Sequence, residues 1–349
     1  MPGLGFVEQF FGAKTSPRRF GLARIVIGLV GLLDALVTRR ELETMFRAEA
    51  LRVRQFAWLP DLDPAYAGFY IGLWILASVM FIVGRFTKAA GAIVVICITY
   101  RLALDLTLYT TNIYLCGLLT LLLVIGDSGA AMSLDRAWTG RPETLISLWP
   151  QTLVKLQISI VYLFTAIEKI NPGYLPGEVF KRFLSVPDFL DDPWLYQGAA
   201  VTTILFELFL AGALWSRRYR GWAFLWGFAF HVSILVLMGF FAAFMAYSAM
   251  FVGSYVLFLD EQPGSRLISA RGRELDWLRR LDWLGVHRFE SGPGVLSLKT
   301  DRGNLTGWAA LRETLRVLPV SFLWASAFDL PLMRGLGKAV YSRAAAERH

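Results

Sequence analysis

The 349-residue chain is 56% hydrophobic and 18% charged, with a mean hydropathy of +0.50 and a formal net charge of +8. Soluble domains are nearer 45–50% apolar and about 25% charged, so an ordinary soluble globular protein is excluded. The basic balance does not call for nucleic acid, because membrane proteins gather Lys and Arg in their cytoplasmic loops.

The apolar excess falls in runs long enough to cross a hydrocarbon core of about 30 Å as helix. In chain order the predicted spans are Phe20–Val37, Tyr66–Val83, Ala89–Leu106, Thr110–Gly126, Thr152–Ile170, Ala199–Trp215, Trp222–Met238 and Phe240–Leu259. Gly239 alone separates the last two, so one long broken helix is the alternative there. The runs are continuous and do not alternate, which selects helices over a β-barrel. The first run ends in Thr38-Arg39-Arg40, not in a small-residue cleavage site, and reads as a retained span. The expected fold is an all-α polytopic bundle of about eight spans over residues 1–260, with a small α/β-like soluble tail over 261–349.

The tail is read from a change in composition after Asp260. It carries Arg279-Arg280, a Gly/Pro loop at 291–294, a β-like run at Val295–Lys299, a turn at Asp301-Arg302-Gly303-Asn304, and helical patterns punctuated by Pro319 and Pro331. Basic residues set the orientation. Lys14, Arg18, Arg19, Arg85, Lys88, Arg136, Arg141, Arg217, Arg218 and Arg220 share one side. Arg39, Arg40, Arg47, Arg52, Arg54, Lys181 and Arg182, diluted by acids, share the other. The bias predicts both termini on the cytoplasmic side; the expected location is a bacterial cytoplasmic membrane.

Cys97 and Cys116 sit inside apolar runs, with no Cys-x-x-Cys. His231, His287 and His349 lie far apart, so no metal site is expected. Ionisable residues inside spans mark protein-lined or watered interiors. With the orientation above, Asp34, Arg101, Asp105, Glu168 and Lys169 lie in the outer half, Glu207 near the middle of its span, His231 at or just outside the middle, and Arg24 and Lys155 near the inner ends; most favour the outer half, as a polar chamber opening outward would require. The bland readings stand beside this one. Asp34, Arg101 and Asp105 pair with one another, Glu207 bonds a neighbouring helix, His231 is a packing histidine, and Lys169 snorkels to the interface. The sharper reading takes Lys169, beside the break at Asn171-Pro172-Gly173, as a desolvated amine able to act as a base.

Two stretches carry a family resemblance. One is Val161-Tyr-Leu-Phe-Thr-Ala-Ile-Glu-Lys-Ile-Asn171 with Pro172-Gly173-Tyr174-Leu175-Pro176-Gly177; the other is Phe230-His231 through Gly239-Phe240-Phe241. With Arg24 in the opening span, they resemble the HTTM domain, the membrane region shared with vitamin K-dependent γ-carboxylases. The resemblance covers about residues 1–260. It implies a base role for Lys169 on a quinol such as reduced vitamin K. It implies, more loosely, a quinol-chamber role for His231. The polar cluster adds Arg101, Asp105 and Glu207 as residues tuning the site, and Tyr162 is a further candidate contact. Two departures count against protein glutamate carboxylation: Glu168 stands where the carboxylases carry a basic residue, and the outer loops are short. The alternatives are a non-catalytic scaffold or peptide-maturation partner in the membrane, and a transporter, which the lack of an inverted repeat disfavours. Membrane lipid is the expected environment.

The tail resembles the DCC family of thiol–disulfide oxidoreductase-like proteins through Leu275–Gly285, Gly303–Leu311 and the Pro319, Pro331 and Tyr341 pattern. No cysteine precedes it, so the resemblance implies a degenerate module that docks or stabilises.

Overall fold

The computed structural model describes residues 8, 10–45, 53, 55–56, 58–60, 63–183, 191–238, 242–259, 264–270, 273–292, 295–301 and 303–346. The expected break at Gly239, the turn through Phe241, the boundary at Asp260, Arg47, Arg52, Arg54, Pro293-Gly294, Arg302 and His349 lie outside them.

In chain order the elements are β1 (Lys14–Thr15), α1 (Arg18–Val37), α2 (Arg39–Met45), α3 (Ala67–Val83), α4 (Thr87–Leu104), α5 (Thr111–Ile125), α6 (Leu134–Thr139), β2 (Ile146–Ser147), α7 (Trp149–Glu168), α8 (Glu178–Phe183), α9 (Pro193–Ala213), α10 (Arg220–Met238) and α11 (Ala242–Ser254). The tail adds β3 (Arg266–Ala270), α12 (Arg273–Leu281), β4 (His287–Ser291), β5 (Ser297–Thr300), β6 (Gly303–Thr306), α13 (Gly307–Leu315) and α14 (Pro331–Ala346).

Six described helices are long and apolar enough to cross a membrane: α1, α3 with its preceding turn, α4, α7, α9 and α10. The other two expected spans form shorter apolar helices, Thr111–Ile125 and Ala243–Phe258. At 1.5 Å per residue, the 15 residues of α5 cover only about 22 Å, so the count of eight is approximate. Outward faces carry Phe69, Ile96 and Leu205 at 70%, 66% and 60% exposure. Such apolar faces suit hydrocarbon, not water.

The described chain divides into two compact units, residues 1–158 with 234–257, and residues 159–233 with 258–349. In the first, α1 packs against α3, α5 and α11, and α4 packs against α3 and α5. Lipid tails are as apolar as leucine, so association rests on close packing and buried polar contacts rather than on expulsion of water. Gly21 supplies such a contact: a methyl group there would sit 2.8 Å from the Ala131 carbonyl oxygen. Arg24, fully buried, donates to the carbonyls of Ser128 at 2.9 Å, Met132 at 2.5 Å and Ile82 at 3.4 Å. It thereby satisfies carbonyls near the end of α3 and in the turn before α6. Cys97 and Cys116 are free and buried.

In the second unit the tail forms a four-stranded sheet in the order β4-β3-β5-β6. The β3–β4 pair is parallel, with Ile268 opposite Phe289, and α12 makes the crossover that a parallel pair requires. The β5–β6 hairpin is antiparallel, with Leu298 opposite Leu305. Ile268, Leu278, Leu298, Ala310 and Leu318 form the buried core beneath the sheet. This is the small α/β tail that the composition change suggests.

Candidate functional site

The site grows from one face of α7. Tyr162 and Lys169 are seven residues apart, two helical turns, and therefore stack on the same side about 10 Å apart. The Lys169 amide still bonds the Thr165 carbonyl at 3.2 Å, so Lys169 continues the helical path one residue past the last residue of α7. There the chain breaks. The Asn171 carboxamide oxygen accepts from the amides of Gly173 and Tyr174 at 2.8 and 3.0 Å, and its nitrogen donates to the Glu168 carbonyl at 2.6 Å. This local turn competes with further helix, and Pro172 removes a donor. Gly177 closes the loop in the left-handed region at φ +80°, pressed against the backbone of Tyr196.

That loop returns Tyr174 to Lys169, whose Nζ lies 5.8 Å from the ring centre. Burial pushes the Tyr174 hydroxyl up to about 12, against a hydrogen bond with Thr203 that works the other way, while Glu207 adds to the rise.

Lys169 turns toward α9. Its Nζ contacts both carboxylate oxygens of Glu207 on α9, each at 2.7 Å. The lysine side chain is 24% exposed and the glutamate 5%. The two approaches make the contact charge-assisted and geometrically fixed. Two turns deeper, the Tyr162 hydroxyl and Nε2 of His231 on α10 share a hydrogen bond of 2.6 Å, both side chains fully enclosed. Aromatic rings extend from this pair. Phe230 lies 5.5 Å from His231, Phe206 stacks on Phe230 at 6.1 Å, and Trp226 lies 6.1 Å from Phe206.

Four of the six expected site residues therefore form two pairs in one unit: Lys169 with Glu207, and Tyr162 with His231. Arg101 and Asp105 belong to the other unit. There Arg101 pairs with Asp34 at 2.5 Å, as the bland reading anticipated. Asp105 does not join that pair among the described contacts. Its Oδ1 accepts from the amides of Thr107 at 2.9 Å and Val53 at 3.3 Å, which caps the turn after α4. Glu168 likewise makes no described contact with Lys169. Thr203 and Phe206 were not singled out from the sequence, and nothing in an apolar run sets them apart. Three cavities among the described residues have linings other than the two pairs. The described residues contain no group of three or more His, Cys, Asp and Glu that would hold a metal ion.

A bundle of apolar helices with ion pairs enclosed between them defines a polytopic membrane protein. A family model for the HTTM domain matches residues 13–259, and the chain belongs to that γ-carboxylase-like family of membrane proteins. The match ends before the sheet-bearing tail. No solved structure matches the chain.

Proposed function

We propose that the protein is a membrane enzyme that moves a proton to and from an apolar, quinol-like substrate, with Lys169 and Glu207 as the proton-handling pair. The observation that carries this reading is the contact of Lys169 Nζ with both oxygens of Glu207 at a broken helix end.

An ammonium cannot accept a proton. For Lys169 to act as a base, its proton must first reside on Glu207, leaving a neutral amine beside a neutral acid. Burial of the glutamate side, 5% exposed, lowers the cost of that exchange, because the neutral form needs less solvation than two ions. The amine then takes the proton of a phenolic O–H. Tyr162 and His231, enclosed and bonded to each other, brace α7 against α10 two turns below the pair. Phe206, Phe230 and Trp226 give an apolar, aromatic surface that suits a quinol ring. The family resemblance carries a base role and not a substrate, so the quinol is part of this proposal, and the short outer loops count against a protein substrate.

The test is oxygen-dependent consumption of reduced vitamin K by the purified protein, with product followed by chromatography. Turnover should fall by about 10²-fold or more in Lys169→Ala, the usual scale of a general base. Equal turnover in Lys169→Ala at matched expression sinks the base role.

A non-catalytic scaffold is the second reading, and the same ion pair favours it, since it staples α7 to α9. Replacing both partners by apolar residues of similar size is often neutral for stability. Lys169→Met with Glu207→Leu should keep a scaffold working and should abolish an enzyme.

A further inference from the structure

The second unit also holds a cleft that the proton-handling reading leaves unused. Its volume is about 430 Å³, within the size range of small-ligand sites. Arg217, Arg218 and Arg220 reach it from the turn between α9 and α10, Arg266 from β3, and Arg316 from just after α13. Asp301, Glu313 and Asp329 line it as well. Arg316 bonds Glu313 at 3.1 Å and also Asp329, Arg266 approaches Glu313 at 3.7 Å, and Arg312 bonds Asp329 at 3.2 Å. Glu313 and Asp329 are thus each shared by two arginines. Among the described lining residues, five guanidinium groups stand against three carboxylates, and Arg220 also donates to the carbonyls of Leu214 at 3.1 Å and Trp215 at 3.4 Å.

The floor has a different character. Trp222, Phe224, Leu259, Val317 and Phe322 line it, with the Phe224 and Phe322 rings edge to face at 4.8 Å. The location adds a third observation. The cleft lies where α9 ends and α10 begins, and both helices are long enough to span. Trp215, Tyr219 and Trp226 are exposed around that turn, as aromatic side chains are where hydrocarbon gives way to headgroups.

We infer that this cleft binds a phosphate-bearing amphiphile, its phosphate on the arginines and its apolar portion on the aromatic floor. Guanidinium groups match phosphate oxygens in paired, parallel hydrogen bonds. Basic pockets at helix ends on the cytoplasmic side suit anionic lipid headgroups. A free phosphate ester offers the same anion without the acyl chains.

Native mass spectrometry of the full-length, delipidated protein in detergent separates these sources. It is titrated with phosphatidylglycerol, with phosphatidylcholine and with sodium phosphate. Phosphatidylglycerol should bind in preference to phosphatidylcholine, and Arg217→Gln with Arg218→Gln should weaken it about tenfold or more. Lys14→Gln with Arg141→Gln, on the other unit, should leave it unchanged. Displacement by sodium phosphate that depends on Arg217 and Arg218, with no preference between the two lipids, keeps the phosphate site and overturns the lipid as its source. Equal lipid binding without a phosphate effect, or equal loss in both variants, overturns the proposal. If the glutamine variant misfolds, Arg217→Lys with Arg218→Lys keeps the charge and removes the paired geometry; unchanged affinity there overturns it as well.

Discussion

Lys169 and Glu207 are 38 residues apart in the chain, yet Nζ lies 2.7 Å from both carboxylate oxygens. Removing one partner of an enclosed pair leaves the other charge uncompensated. Glu207→Gln should therefore destabilise the protein by about 3 kcal/mol, the low end for such pairs because Lys169 is a quarter exposed. A thermal melt in a fixed detergent reads this directly. Tyr162→Phe is milder. It takes the hydroxyl from His231 Nε2 without leaving a large void, and an unmet buried polar group costs about 1–3 kcal/mol.

At the level of elements, two turns, one in each unit, are pinned by specific local contacts. The loop after α7 depends on Gly177, since a Cβ at φ +80° is strained and would meet Tyr196 backbone. Gly177→Ala should cost more than about 1 kcal/mol and shift Tyr174 away from Lys169, seen as altered tyrosine accessibility to nitration. On α6, Asp135 accepts from the amides of Phe86 and Thr87 at 3.0 Å each and bonds Arg85 at 3.2 Å, capping the start of α4. Desolvation tends to raise its carboxyl, but bonds from Thr87, Phe86 and Arg85 outweigh that and hold it below the usual carboxylate range. A carboxyl depressed by folding stabilises above its unfolded value, near pH 4, and that contribution is lost as pH falls through the folded value. Asp135→Asn should melt earlier than the parent at neutral pH, and the gap should close below about pH 4. A gap that persists in acid contradicts the cap.

On the scale of the whole molecule, the tail and the helices 159–233 share one compact unit. Phe322, 3% exposed, is part of that join through Phe224. Phe322→Ala should lower stability by about 3–5 kcal/mol, which a melt followed at the helices would register. The bundle itself was legible because its apolar runs are continuous, and the membrane length sets a sharp ruler for them. The short α5 was less legible: Thr110 reads as a span start and is in fact the cap of a 15-residue helix, accepting from Ile113. Lys169 stood out because a Pro-Gly break follows it, whereas its partner did not. A Glu in an apolar run faces any of several helices, and only the three-dimensional packing selects one. Asp105 shows the opposite error of emphasis. Its charge drew attention in the sequence, while its hydrogen bonds to nearby amides give it a capping role that the short Asp-x-Thr spacing already permits.

The central claim is that the Lys169–Glu207 pair moves a proton and does more than join two helices. The measurement that tests it most directly is the charge exchange Lys169→Glu with Glu207→Lys, with melting temperature and reduced vitamin K turnover recorded on the same preparation. The exchange keeps the attraction between α7 and α9 but moves the amine to the opposite wall. The account predicts a melt close to the parent with turnover still lost by about 10²-fold or more. Turnover restored along with the melt would contradict it and leave the pair as a staple.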